Sequence, residues 1–187
     1  TQSFPKTKMK QLSLYTATLS ILWMAFAFLP QEKLGWRMDK KYSVRFSSPS
    51  VAGEFTSFRG EVQFDTTNLS RCSFVLQVDP ASVNTGNVMQ NGHIQHKEWL
   101  DSKSYPSIDF ISTSFTKEAG AYSVLGKMTM HGVTHAIKIP FTYMEKKKKA
   151  DIRANFSINR FDYGVGSPKD GVDSILAIQV VMPLKRN

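Results

Sequence analysis

Apolar and polar residues alternate with a period of two through most of the chain, and this pattern constrains the fold more than any other feature. Residues 71–79 place Cys72, Phe74, Leu76 and Val78 on one face and mostly polar side chains on the other. Successive side chains of a β-strand point to opposite faces, so this period is typical of half-buried strands. It predicts strands at residues 42–46, 53–58, 60–65, 71–79, 108–115, 122–130, 134–143, 150–158 and 174–182.

The predicted strands are joined mostly by connections of hairpin length. A glycine turn near Gly132 and the basic run at residues 146–149 are short enough for antiparallel hairpins. Between residues 82 and 105 the spacing becomes helical, which predicts a short helix at 87–95 and a second turn at 97–101. Many short antiparallel strands with one or two short helices predict an all-β fold, a closed barrel of about eight strands. The interior of such a barrel holds its own side chains or one small ligand.

The N-terminal residues are typical of an export signal. Residues 12–29 carry no charge and follow three lysines, and Ala25 and Ala27 supply the small residues that signal peptidases prefer. We therefore expect an N-terminal extension and signal peptide over residues 1–27, a barrel domain over residues 28–187, and a periplasmic or extracellular location. A retained membrane anchor is the alternative, because this apolar stretch approaches the roughly 20 residues that span a bilayer.

The formal net charge of +9 is unevenly distributed. Three of these charges belong to residues 1–27, and four belong to Lys146, Lys147, Lys148 and Lys149. We predict that this run forms a solvated hairpin tip, with transient contact to an anionic membrane surface as the alternative. Nucleic-acid binding favours basic residues interleaved with exposed aromatic residues, and the sequence has no such stripe, so we expect no nucleic-acid partner.

Candidate catalytic and metal-binding residues are few. The single cysteine, Cys72, excludes an internal disulfide and a cysteine-based zinc site, and its strand position predicts a small buried side chain. His93 and His96 are three residues apart on the predicted helix, so a metal-dependent enzyme using these two and His131 is one alternative function. No nucleophile-elbow or phosphate-loop motif occurs. We expect no enzyme, no catalytic residue, no metal and no cofactor.

Charged residues in the loop after residue 158 predict a structural contact. Arg160 and Asp162 lie two positions apart, and we expect them to form a clamp that holds the loop.

Several strands carry bulky apolar residues on both faces, for example at residues 137–143 and 175–182. This pattern predicts a tunnel for an elongated apolar ligand, and a fully packed barrel acting as a ligand-free structural or stress-response module is the alternative. The residues that we expect to line the tunnel are Phe46, Phe64, Phe74, Leu76, Phe110, Met128, Met130, Phe141 and Tyr143.

A series of motifs occurs in order along residues 36–181. They are Trp36 with Asp39, Val44 and Phe46, then residues 60–65, Ser82 with Thr85-Gly86, residues 99–101, residues 105–112, residues 126–134 and residues 159–164. This series resembles the YceI-like family of secreted polyisoprenoid- or lipid-binding proteins. The resemblance implies an extended, lipocalin-like antiparallel barrel whose apolar bore takes a long isoprenoid or acyl chain, with a polyisoprenoid, an isoprenoid quinone or a fatty-acyl lipid as the ligand.

The residues just before His93 differ from the pattern of the YceI-like family. Family members often carry Arg-Asp shortly before this histidine, whereas Gln90, Asn91 and Gly92 precede it here.

Overall fold

The computed structural model describes residues 35–186, and β-strands make up most of that part of the chain. The predicted N-terminal extension and signal peptide lie outside the described residues. The strands are β1 (Gly35–Met38), β2 (Ser43–Ser47), β3 (Ala52–Phe55), β4 (Phe58–Gln63), β5 (Ser73–Val78), β6 (Val83–Asn84), β7 (Ile108–Glu118), β8 (Ala121–Met130), β9 (Val133–Lys146), β10 (Lys149–Asn159) and β11 (Ile175–Arg186).

Eight of these strands close into a barrel in which every pairing is antiparallel. The order is β1-β4-β5-β7-β8-β9-β10-β11, and β1 also pairs with β11, which completes the ring. Strands β2, β3 and β6 continue the sheet from the side of β11, where β2 pairs with Ala177–Val181 and β1 pairs with Leu184–Arg186. The predicted all-β fold, a closed antiparallel barrel of about eight strands, is confirmed.

Strand β8 shows why the alternating sequence gives this fold. Tyr122, Val124, Gly126, Met128 and Met130 are buried, while the residues that alternate with them are exposed or half-buried. The apolar face of each strand is thus removed from water at the barrel interior, which is the main favourable contribution to folding.

Two hairpin predictions are confirmed. His131 and Gly132 both have positive φ, 51° and 76°, so β8 and β9 are joined by a two-residue turn whose twist matches the flanking strands. Strands β9 and β10 are joined at Lys147 and Lys148, and the whole lysine run is exposed.

The strand break near residue 59 is placed differently from the prediction. Strand β4 begins at Phe58, because Thr56 and Ser57 leave the ladder to bond Ser82: the amide of Thr56 donates to the Ser82 carbonyl at 3.1 Å, and the amide of Ser57 donates to its hydroxyl at 3.0 Å.

The connection between β6 and β7 contains the helix α1 (Val88–Gln95). The helix begins where the Asn87 side chain accepts hydrogen bonds from the amides of Met89 and Gln90, and it ends at His96, whose backbone is extended. A hydrogen-bonded turn follows at residues 97–100, so both predicted helical segments are confirmed. Within residues 35–186, no helix has the length and apolar character needed to cross a membrane.

An apolar cavity in the barrel as the candidate functional site

The barrel encloses a cavity of about 470 Å³. Inward-facing side chains of nine strands and of α1 form its wall, and most of them are aliphatic, aromatic or methionine side chains. This volume lies within the range of roughly 300 to 1,000 Å³ that is typical of small-ligand sites. The barrel interior is therefore not filled by its own side chains.

Most of the side chains predicted to line the tunnel lie in the cavity wall. They are Phe46, Phe74, Leu76, Phe110, Met128, Met130 and Phe141. Each stands on the inward face of its strand, as the alternation of the sequence requires. Their role in binding a ligand stays a prediction.

Phe64 and Tyr143 do not line the cavity, contrary to expectation. Phe64 is 2% exposed and lies beyond the end of β4, where its ring packs 5.9 Å from Phe74 and 5.4 Å from Phe141, centroid to centroid. Tyr143 packs on Phe64 at 4.7 Å and donates its hydroxyl to Glu145. Alternation identifies the inward face of a strand but does not say how far along the barrel the cavity extends.

These two residues belong to a cluster that fills one end of the barrel, which we call the aromatic plug. Its members are Trp36, Phe64, Phe74, Phe115, Tyr122, Phe141 and Tyr143. Phe64 is the centre of the plug, because its ring lies within 6.0 Å of five of the other rings. The indole Nε1 of Trp36 donates to the carbonyl of Phe64 at 3.2 Å and anchors it.

The opposite end of the cavity, beside α1, is more polar and more exposed. His93 lines the cavity and is also exposed to solvent, and Gln90 lies one turn before it on the helix. Wall residues here, such as Ile158 and Leu176, are half-buried, whereas Phe74 at the plug is buried. Because the exposed His93 lines the cavity, we infer that the cavity opens to solvent beside α1, while the plug closes the other end.

Arg160 closes part of the wall at the α1 end. It is 1% exposed, and its guanidinium donates to Asp170 Oδ1 and to the carbonyl of Val172, both at 2.7 Å. It also donates to the carbonyls of Val165 at 2.7 Å and Asp173 at 3.0 Å. Arg160 therefore holds together the loop that connects β10 to β11.

The predicted clamp between Arg160 and Asp162 is wrong. Asp162 is exposed and accepts a hydrogen bond from Asn159. The ion pair with Arg160 is formed by Asp170 instead. The loop folds back so that a residue ten positions along meets the guanidinium.

The pKa of Asp170 is lowered below its ordinary value of 3.8. Burial alone raises this pKa, but the amides of Ser167 and Val172 and the guanidinium of Arg160 donate to the carboxylate and outweigh it. The buried arginine is thus paired with a charged aspartate, as a buried charge requires.

Cys72 lies just before β5 and is half-buried. Burial raises the pKa of its thiol, and its Sγ accepts a hydrogen bond from the amide of Asp65 at 3.2 Å. The prediction of a small buried side chain in the strand is met in part, because Cys72 is half-buried and lies one residue before β5.

The histidines of the alternative function are not brought together. Among residues 35–186, no group of three His, Cys, Asp or Glu side chains has a metal-binding arrangement. His131 Nδ1 lies 3.3 Å from the carbonyl of Tyr163, and His135 Nε2 lies 2.9 Å from the carbonyl of Asp162. His135 thus attaches the loop after β10 to β9, and His131 attaches it to the turn between β8 and β9.

Other wall residues were not predicted from the sequence. On β10 they include Ile152, Ala154, Phe156 and Ile158, which alternate along the strand and all face the cavity. The alternation of apolar residues with a period of two at residues 150–158 of the sequence would have identified them.

A model of the YceI-like domain matches residues 36–183 of the sequence, which is nearly the whole barrel. The chain belongs to the YceI-like family. Similar proteins include a UPF0312 protein of Yersinia enterocolitica, 27% identical over 139 residues, with 69% of this chain and 72% of the relative covered. A UPF0312 protein of Pseudomonas fluorescens is 28% identical over 148 residues, with 70% and 74% covered.

Solved structures of other proteins share the fold. The crystal structure of BcnA from Burkholderia cenocepacia has a TM-score of 0.71 and 27% identity, and the match covers 80% of this chain and 99% of BcnA. A polyisoprenoid binding domain from Saccharophagus degradans, implicated in plant cell wall breakdown, has a TM-score of 0.68 and 15% identity, covering 83% of this chain and 100% of that domain.

Proposed function

We propose that this YceI-like protein binds a lipid with one long apolar chain, isoprenoid or fatty-acyl, inside its barrel and performs no covalent chemistry. The observation that carries the proposal is the cavity of about 470 Å³, closed at the aromatic plug and open beside α1. The description of the Saccharophagus degradans domain as polyisoprenoid-binding supports the same ligand class.

The driving force for binding is burial of the chain against the apolar wall. Each square ångström of apolar surface removed from water contributes roughly 25 cal/mol, so a chain that fills the cavity gains affinity without any charged contact. Specific hydrogen bonds would come only from the polar residues at the open end, among them Gln90 and His93. The head group of the lipid is therefore expected beside α1.

We also propose that the protein is exported and acts in the periplasm or outside the cell. The support is the basic and apolar N-terminal sequence with the small residues Ala25 and Ala27. N-terminal sequencing of the protein recovered from the periplasmic or culture fraction tests the proposal, and a start near residue 28 is the expected result.

The binding proposal is tested by mass spectrometry of organic extracts of the purified protein, together with elemental analysis of the same sample. A stoichiometric lipid is expected in the extract. Stoichiometric zinc or iron without any lipid would favour the alternative enzyme. Absence of lipid and failure to take up any offered lipid would favour the ligand-free structural or stress-response module.

A further inference from the structure

The closed end of the cavity has a defined floor. Phe74 and Phe141 line the cavity, and their rings pack together at 5.6 Å, centroid to centroid. Phe64, which does not line the cavity, contacts both of them from the far side. A chain that enters from α1 therefore meets two aromatic rings, with a third ring behind them.

The floor is held in place by its surroundings. Phe141 stacks on Tyr122 at 5.6 Å with an angle of 21° between the rings, and Phe74 meets Phe115 edge-on at 4.8 Å. Rings packed on several sides cannot turn aside without opening a void, which costs free energy. The floor is thus a fixed boundary for a ligand.

The polar open end fixes which way the ligand enters. A chain with a polar head keeps that head near Gln90 and His93, where water is accessible, and directs its tail to the aromatic floor. The distance from head to floor then limits the length of the tail.

We propose that Phe74 and Phe141, supported by Phe64, set the maximum length of the lipid chain that the barrel accepts. This inference rests on the proposed lipid binding. A chain that extends from the polar end of the cavity to this floor occupies the whole length of the apolar wall. Longer chains leave methylene groups outside the apolar wall.

The cavity offers substitutions that shift this limit in both directions. Phe141→Ala removes part of the floor and deepens the cavity, and Phe141→Leu is a smaller change in case the first variant does not fold. Ala154 pairs with Phe141 across β9 and β10 and also lines the cavity, so Ala154→Leu fills space beside the floor. Leu125→Ala is the matched control, because Leu125 is 43% exposed on β8 and does not line the cavity.

The test is a competition among saturated fatty acids from dodecanoic to docosanoic acid. An equimolar mixture of the acids, and in a separate sample a mixture of isoprenoid alcohols, is presented in phosphatidylcholine vesicles, and the lipids that remain on the reisolated protein are quantified by mass spectrometry. Each methylene group that finds apolar space raises affinity roughly fourfold, so the preferred length is sharply defined.

The wild type is expected to retain the acids whose tails end at the floor and to discriminate against the longer acids of the series. The preference moves to longer acids in Phe141→Ala or Phe141→Leu, moves to shorter acids in Ala154→Leu, and does not move in Leu125→Ala. If every variant binds with the wild-type length preference, the length limit is overturned and lipid binding stands. If the wild type retains no fatty acid or isoprenoid alcohol, the proposed function fails, and the length limit fails with it.

Discussion

Arg160 and Asp170 form a buried ion pair at the open end of the cavity. The Nη2 atom of Arg160 lies 2.7 Å from Oδ1 of Asp170, and the two side chains are 1% and 16% exposed. Together they fix the loop between β10 and β11 beside the polar residues of α1. The pair therefore links the stability of the barrel to the shape of the cavity entrance.

Removal of the aspartate is expected to destabilise the protein strongly. Asp170→Ala leaves the guanidinium of Arg160 buried without a counter-ion, which costs about 3 to 5 kcal/mol in the free energy of unfolding. The exposed pair Asp151 and Arg153, 3.9 Å apart, supplies the control, and Asp151→Ala is expected to cost less than about 1 kcal/mol. Urea unfolding at neutral pH measures both changes. Equal effects of the two variants would contradict the structural role of the buried pair.

The ion pair also predicts a dependence of stability on acid. The pKa of Asp170 is lower in the folded protein than its ordinary value of 3.8, so the pair stabilises the fold above that value. This stability is lost as the pH falls below about 4 and through the lower folded pKa. Asp170→Asn lacks this contribution, so its free energy of unfolding should approach that of the wild type at acidic pH. A difference between the two proteins that stays constant from neutral to acidic pH would contradict the assignment.

Alanine substitutions at two glycines of the same loop distinguish the cost of backbone strain from the cost of overlap with a neighbouring side chain. Gly166 and Gly171 have positive φ, 71° and 77°, so alanine at either position costs about 1 to 2 kcal/mol. A Cβ on Gly171 meets no neighbour, whereas a Cβ on Gly166 overlaps the guanidinium of Arg160. Gly166→Ala should therefore lower the melting temperature clearly more than Gly171→Ala. Equal melting temperatures would show that the loop rearranges around Arg160 without cost.

The thiol of Cys72 is expected to react slowly. Burial raises its pKa, so less of the reactive thiolate is present near neutral pH than for a free cysteine. Labelling by a disulfide reagent at mildly alkaline pH should be much slower for the folded protein than for the protein in guanidinium chloride. Similar rates in both states would place the thiol in an open, reactive position.

The lysine run offers a test of membrane contact. Lys147 and Lys148 occupy the turn between β9 and β10. Lys149 lies opposite Lys185 in the antiparallel pairing of β10 with β11, which brings another lysine close to the run. This concentration of exposed positive charge predicts weak binding to phosphatidylglycerol vesicles at low salt, worth about 1 kcal/mol for each lysine near the surface. Replacement of residues 146–149 by glutamine should abolish sedimentation with the vesicles. Unchanged sedimentation would assign any binding to another surface.

The period of two in the sequence predicted the fold well because it is a local property. Each strand needs an apolar face, and the inward residues of β8, and of β10 from Ala150 to Ala154, are buried as the alternation requires. Strand β1 was not predicted, since four residues that begin with a glycine provide too little alternation.

The candidate site was predicted less completely, because its limits depend on contacts between distant residues. The position of Phe64 behind the cavity follows from where β4 ends and from five neighbouring rings that come from other segments. The partner of Arg160 depends on how an irregular loop folds back, and spacing favoured Asp162 over Asp170. Such long-range relations have no signal in local periodicity.

Lipid binding inside the barrel is tested most directly by a pair of tryptophan substitutions at adjacent positions of β5. Leu76 lines the cavity, whereas Val75 points outward and is 46% exposed. The two variants therefore add the same side chain to the interior or to the surface.

Titration of a fluorescent fatty acid into both variants and the wild type gives the decisive comparison. Leu76→Trp should fill the cavity and weaken binding by roughly tenfold or more, equivalent to about 1.4 kcal/mol, while Val75→Trp binds like the wild type. Circular dichroism confirms that both variants are folded. Undiminished binding by a folded Leu76→Trp variant would contradict a ligand site inside the barrel.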